Sequence, residues 1–348
     1  MLLTILAFFF VFTIITLAHE LGHLYFSKKV GIRVHEFGLG FGPTLFTWSR
    51  NNTVYKINLL PILGYVKIAG IDTDDPEEAS TPKAERYDAK TPFQKFISIF
   101  AGPLMNLVLG FFIFSLVFAL FGIPSGLSNQ ISSVSPGSEA EKVGIKPGDL
   151  LVAIDGKKYS QVENAIKKIH ASADKKLDIT IERAGKTLHF KATPKYHKKM
   201  KVGLIGFALN AVYSKVNPLT AIYHGGKETI GLSLTILVLF GKLLTGKLAL
   251  GDLAGPIGIA QITGQYAQGG LFSFLGFLAF FSINVAVINL LPIPAMDGGR
   301  LVFILIEAIF RKPINIELEN KIHLIGFYIL LGLMALLTVN DFLRILKR

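Results

Sequence analysis

The sequence predicts a polytopic α-helical membrane protein of about four transmembrane helices with an inserted α+β domain. Three observations predict it. The 348 residues are 51% hydrophobic and their mean hydropathy is +0.50, too apolar for a water-soluble chain of this length. Several long runs carry no charge, and at ~1.5 Å per residue they approach or exceed the ~30 Å hydrocarbon layer. Between the second and third of them, apolar and charged residues alternate as in a folded module facing water.

Met1 to Ala18 is the first uncharged run, eighteen residues that reach spanning length once extended through Tyr25. It has no basic leader and no small-residue cleavage site, so it reads as a span and not as a signal peptide. Phe96 to Ile123, 28 uncharged residues, is the second span. Leu253 to Met296 is uncharged too, but Gly255, Pro256, Gly258, Gly264, Gly269 and Gly270 break its first part and leave Leu271 to Leu291 as the third span. Leu324 to Asn340 is a shorter fourth. Thr229 to Gly241 is apolar for only thirteen residues, between Glu228 and Lys242, and is expected to lie in the interface or to re-enter. The expected domains are residues 1–124, an insert at 125–201, and 202–348.

His19, Glu20 and His23 form an HExxH motif where the first run meets the first charges of the chain. On a continuous helix the i and i+4 spacing puts both imidazoles on one face, where they can share Zn²⁺, with Glu20 beside them as general base. Two histidines on a solvated helix is the competing reading. It is weakened here because ionisable groups at the end of a span lose hydration and are kept for function. Spans one and three run in the same direction, so their C-terminal ends emerge on one side. Span three ends in Asn289-Leu-Leu-Pro-Ile-Pro-Ala-Met-Asp297-Gly-Gly, which puts one carboxylate at matching depth. Asp297 is therefore the expected third ligand, with a fourth position open to water; a turn residue before two glycines is the alternative. Pro292 and Pro294 favour extended chain there.

Lys28, Lys29 and Arg33 follow span one, and Arg300, Arg311 and Lys312 follow span three. The positive-inside rule then puts both ends at the cytoplasmic face, against which Arg344, Lys347 and Arg348 argue. Of the net charge of +12, the insert supplies a large part, with 15 Lys and Arg against 8 Asp and Glu. No basic motif is interleaved with aromatics, so nucleic acid is not expected as a partner. Cysteine is absent, which excludes disulfides and thiolate ligands.

In the insert, Ile131 to Gly156 reads as strand, turn, short helix, Pro-Gly turn, strand and Asp-Gly turn, with a helix near Gln161–Ile169 and a hairpin across Ala184-Gly185. That order, with its SPGSEAEKVGIKPGDLLVAIDG stretch, resembles a PDZ domain of the permuted bacterial type. Either peptide capture by strand addition or a role as a steric filter is open to such a module.

HExxH closing a first span, one PDZ-like insert, and NLLPIPAMDGG closing a third span together resemble the site-2 protease family of intramembrane zinc metalloproteases, of the bacterial RseP type. The resemblance implies His19, His23 and Asp297 as zinc ligands, Glu20 as the catalytic glutamate and Asn289 as a contact to substrate. It extends to Gly38–Pro43, to Ala101-Gly-Pro-Leu-Met-Asn106, to Gly255–Ile259, and to Tyr55–Ile68, which is similar to a membrane-associated β-hairpin that would hold unwound substrate along Gly64, Tyr65, Val66 and Lys67. Leu-Asp-Gly of the family is Met-Asp-Gly here. The implied substrates are single-span membrane proteins, such as anti-sigma-factor-like regulators, or remnant signal peptides. The implied location is the bacterial inner membrane, with the site at the cytoplasmic face and the insert opposite. A zinc transporter would want polar residues along its spans, and a membrane-anchored PDZ adaptor would not need HExxH. Asn106 takes no single role, and His35, His170, His189, His197, His224 and His323 read as surface groups.

Overall fold

The computed structural model describes residues 1–71, 80–198, 200–247, 251 and 253–346, so Lys347 and Arg348 lie outside the described residues. The chain divides into two units, residues 1–120 with 217–348, and residues 121–216.

Among the described residues, the first unit holds four helices long and apolar enough to cross a membrane. α1 (Leu2–Lys29) runs unbroken through HExxH and ends on Lys28 and Lys29, cations that suit the negative end of its dipole. α2 (Pro92–Phe121) starts at a capping box: the Thr91 N–H donates to the Gln94 side chain and the Gln94 N–H to the Thr91 hydroxyl, with Pro92 at the first helical position. Pro103 sits inside this helix without ending it. α7 (Leu271–Asn289) and α9 (Ile316–Leu346) complete the set.

Two expectations need correction. Thr229–Gly241 is not a short separate element but the middle of α5 (Pro218–Leu244), 27 residues capped by Asn217, whose side chain accepts the Thr220 N–H at 2.9 Å. Gly258 and Gly264 do not break the chain: α6 (Pro256–Gln268) runs through both, and the interruption falls at Gly269 and Gly270. The non-helical break expected at Pro292 and Pro294 spans residues 290–296, and helix resumes as α8 (Asp297–Phe310).

The hairpin was also drawn too small. β1 (Val34–Arg50) and β2 (Thr53–Ile68) pair antiparallel around a turn at Asn51 and Asn52, and both fold back on themselves. Residues 36–39 lie opposite residues 64–67 on one side and 54–57 on the other, while 46–50 pair with 53–57. The bend near Pro61 is therefore inside one long strand, and residues 64–67 form an outer row of this sheet. Its inner end packs on α1 through Leu24, Val34, Phe37 and Val66.

The second unit is an α+β module. Strands β3 (Ile123–Val134), β4 (Leu150–Ile154), β6 (Leu177–Arg183), β7 (Lys186–Ala192) and β10 (Phe207–Ser214) form a sheet in the order β10-β3-β4-β6-β7, with the short β5 (Lys157–Lys158) on β4 and a hairpin of β8 (Lys195–His197) and β9 (Val202–Leu204). Helices α3 (Glu139–Val143) and α4 (Val162–Ala171) cover a core of Ile131, Ile154, Ile169, Ile179 and Ile181. The module ends beyond the expected residue 201 because β10 pairs with β3. Asp149, 1% exposed, accepts two bonds from Arg183 at 2.6 and 2.8 Å and one from the Lys146 N–H at 2.7 Å. Burial alone would raise its pKa, but the guanidinium and the amide outweigh burial and hold it below the ordinary range.

Candidate metal centre

α1 presents His19 and His23 one turn apart, with their Nε2 atoms 3.1 Å from each other. Asp297 is the first residue of α8, and its Oδ2 lies 3.1 Å from His19 Nε2 and 3.5 Å from His23 Nε2. A tetrahedral ion with bonds of ~2.0–2.2 Å separates its ligand atoms by about 3.3–3.6 Å. The three donor atoms therefore already stand at close to the spacing zinc requires, and the donor set, two imidazoles and a carboxylate, is one that zinc accepts. Their side chains are 13%, 8% and 18% exposed, so one side of the cluster stays open.

The neighbouring helix α2 explains how His23 is held. The Nδ1–H of His23 donates to the Ser98 carbonyl at 2.9 Å, which leaves Nε2 with its lone pair toward Asp297. Gly102, one turn on, leaves room for the ring: a Cβ there would sit 2.2 Å from His23 Nε2. At the other helix, the glycine after Asp297 allows the first turn of α8 to tuck under the end of α7, since a Cβ on Gly298 would meet the Leu291 oxygen at 2.0 Å. A cavity of about 780 Å³ lined by Asp297, Arg300, Asn320, Lys321 and His323 reaches the carboxylate from the side of α8 and α9.

Glu20 faces the β-sheet. A Cβ at Gly64 would lie 3.0 Å from Glu20 Cγ and 2.8 Å from Thr16 Cγ2, which brings the outer row of residues 64–67 against the HExxH helix. Tyr65 turns back across Gly38 and donates its hydroxyl to Glu36, which also accepts from Lys56 at 2.5 Å. Burial and the Glu36 carboxylate push the phenol up to about 12, so Tyr65 is a neutral donor and not a base. Burial works to raise the Glu36 pKa as well, but its bonds to Lys56 and Tyr65 prevail and lower it. Val66 lies opposite Phe37 and Lys67 opposite Glu36.

Two kinds of comparison bear on this arrangement. The family profile of Peptidase family M50 matches residues 7–333. The chain belongs to Peptidase family M50. The regulator of sigma-W protease RasP of Bacillus subtilis is 30% identical, over 98% of this chain and 99% of its own. The zinc metalloproteases RasP of Bacillus licheniformis and Geobacillus kaustophilus are each 32% identical, over 98% and 97% of this chain and 99% and 97% of their own. Among solved structures, the PDZ domain of an SdrC-like protein from Listeria monocytogenes is 26% identical and covers 24% of this chain and 86% of its own, at a TM-score of 0.22, too loose a likeness to argue from. The expectation of a membrane-embedded zinc metalloprotease of the site-2 type agrees with this membership.

Of the residues singled out in the sequence, this M50 peptidase brings His19, His23 and Asp297 into one cluster, with Glu20 on the same helix and Gly64 beside it. Asn289 is the half-buried last residue of α7. Two histidines expected at the surface are buried: His35, 5% exposed, and His323, 9% exposed, whose Nδ1 accepts the Ala295 N–H at 3.1 Å and so props the loop that carries Asp297. The sequence does not announce Ser98, Gly102 and Asn106 as companions of the histidines: the spacing of four between Gly102 and Asn106 in AGPLMN is a signal for those two, while Ser98, which acts through its carbonyl, leaves none.

Proposed function

We propose that this M50 peptidase hydrolyses peptide bonds in or near the transmembrane segments of single-span membrane proteins, with His19, His23 and Asp297 as its zinc ligands and Glu20 as its general base. The observation that carries the reading is the spacing of the three donor atoms, 3.1 to 3.5 Å, two from the candidate span α1 and one from the first residue of α8, which follows the candidate span α7. Zinc bound there would polarise the scissile carbonyl and lower the pKa of a water toward ~7. Glu20 then takes the proton from that water and returns it to the leaving amine nitrogen. The cavity that reaches Asp297 gives water a polar route to a site otherwise enclosed by apolar helices.

A helical substrate hides its carbonyls in its own hydrogen bonds, so it has to be opened before it is cut. The outer row at Gly64, Tyr65, Val66 and Lys67, lying against Glu20, suits strand addition of an unwound segment. Asn289 offers an amide for the same backbone. The regulator named in the Bacillus subtilis relative fits substrates of the anti-sigma-factor kind, and remnant signal peptides share the required single span. The bacterial source of the relatives favours a bacterial inner (cell) membrane, the cations after spans one and three favour the site at its cytoplasmic face, and an odd number of crossings then puts the insert opposite. In the insert, a groove of about 290 Å³ lined by Ile166, Ile169, His170, Leu204, Phe207 and Leu209 runs beside the outer strand β10 and leaves peptide capture available beside a filtering role.

The test is the Glu20→Gln protein, purified in detergent and incubated with a single-span reporter. It is expected to keep one zinc per chain and to lose cleavage. Appreciable cleavage by this variant would remove Glu20 as the base.

A further inference from the structure

Asn106 is an amide in the middle of the apolar helix α2, with no solvent exposure, and half of it is unsatisfied: its Oδ1 has no hydrogen-bond partner. Its Nδ2 faces His19 Nδ1 at 3.4 Å. The position is tightly fixed. The main-chain oxygen of Asn106 accepts the Ser282 hydroxyl of α7 at 2.8 Å, and Ser98, Gly102 and Asn106, spaced by four, make one stripe of α2 along both imidazoles.

The two histidines are held by different chemistry. His23 donates Nδ1–H to a carbonyl, which can only accept, so its tautomer is set. His19 meets a carboxamide, which can present either end. With Nδ2 donating to His19 Nδ1, the ring proton belongs on Nε2, facing the Asp297 carboxylate at 3.1 Å, and Oδ1 is stranded in a dry interior. Turning the amide by half a rotation exchanges its ends. Oδ1 then accepts Nδ1–H, the amide N–H groups take the unpartnered place, and Nε2 is left with the lone pair toward Asp297 and His23 that a zinc ligand needs.

We propose that Asn106 is a positioning residue for His19: its side-chain oxygen accepts the Nδ1–H bond and thereby selects the tautomer that offers Nε2 to zinc. The inference rests on the reading of His19 as a ligand. It is tested on the full-length chain in detergent with Asn106→Ala, Asn106→Leu and Asn106→Asp, and with His19→Ala as reference. The zinc dissociation constant is measured by competition with a chromogenic chelator, and the visible bands of the Co²⁺-loaded protein report the ligand geometry. Loss of the acceptor in the Ala and Leu forms is expected to weaken zinc by about 10- to 100-fold and to shift the cobalt bands, as for other partners of metal-bound imidazole. The Asp form keeps an acceptor and loses the donor, and is expected to bind zinc like the unaltered protein. Unchanged affinity in Ala and Leu overturns the proposal, and so does an Asp form as weak as Leu. If the Ala form does not fold, the contrast of Asp with Leu decides the same question. Zinc retained by His19→Ala overturns the ligand reading and this inference with it; zinc lost by His19→Ala but kept by Asn106→Ala and Asn106→Leu overturns this inference alone.

Discussion

Gly102→Ala adds one methyl group beside the metal cluster and nowhere else. The new Cβ would stand 2.2 Å from His23 Nε2 and 2.6 Å from Cε1, whereas ordinary contact begins at 3.4 Å, so the ring has to retreat by about 1.2 Å. The imidazole is the free end of a side chain and can swing away, so the helix pair survives; Ala in place of Gly even favours the α2 helix by up to about 1 kcal/mol. Metal coordination is far less tolerant, with ligand distances that hold to about 0.2 Å, and the same swing strains the 2.9 Å bond to the Ser98 carbonyl. Zinc affinity is therefore expected to fall by at least about 100-fold, roughly 2.8 kcal/mol, in a protein that melts no lower than the unaltered one. Chelator competition and thermal unfolding in the same detergent measure the two quantities. Gly276→Ala, at a position of α7 with open space around its Cβ, is the control: it should leave zinc affinity unchanged and, with the same gain in helix propensity, melt no lower than the unaltered protein. A Gly102→Ala protein that binds zinc as tightly as Gly276→Ala would refute the placement of His23 as a ligand packed on α2.

Three other outcomes are expected. Asp297→Asn should lose both zinc and turnover, because a neutral amide oxygen is a poorer ligand than a carboxylate; metal analysis and a reporter assay that both match the unaltered protein would leave Asp297 a turn residue. Val66→Pro should slow cleavage by roughly tenfold or more while Val66→Ala slows it little, because proline removes a main-chain donor and bends the outer row; zinc content is the control, and equal losses would point to side-chain packing instead. Asp149→Asn should destabilise the insert by about 1–3 kcal/mol by leaving a guanidinium partly unpaired. Since the folded pKa of Asp149 is depressed, its contribution is present above the unfolded value of about 3.9 and fades as pH falls below it, so the difference between the two proteins in urea unfolding should be largest near neutrality and shrink in acid.

The centre was legible because its signals are local. HExxH needs only helical spacing, and Asp297 is the lone acid at the end of a long uncharged run, so parity of the spans was enough to bring the two together. What was not legible depends on tertiary contact. Ser98 acts through its main chain, which no side-chain pattern reports, and Gly102 matters for a methyl group it lacks. Asn106 looked like any amide in a membrane helix until His19 was placed beside it. His323 and His35 were read as surface groups because a lone histidine carries no periodicity. In the β-sheet Pro61 and Gly64 do mark a reversal, since Ile57 and Gly64 both lie opposite Leu39; what composition could not show is that the two runs do not pair with each other but flank residues 36–39 of β1 on either side. Gly258 and Gly264 read as breakers, yet α6 passes through both and begins under a cap from another helix, Asp341 of α9 accepting the Gly258 N–H at 2.8 Å.

The donors of the candidate centre are 278 positions apart, with His19 near the beginning of the chain and Asp297 in its last sixth. At about 5–20 residues per second, a ribosome takes roughly 14–56 s to get from one to the other. Over that interval HExxH is made without the proposed third donor. On the proposed assignment of Asp297 as third ligand, hydrolytic competence waits on insertion of the third span, and a chain truncated anywhere before residue 297 is expected to lack it.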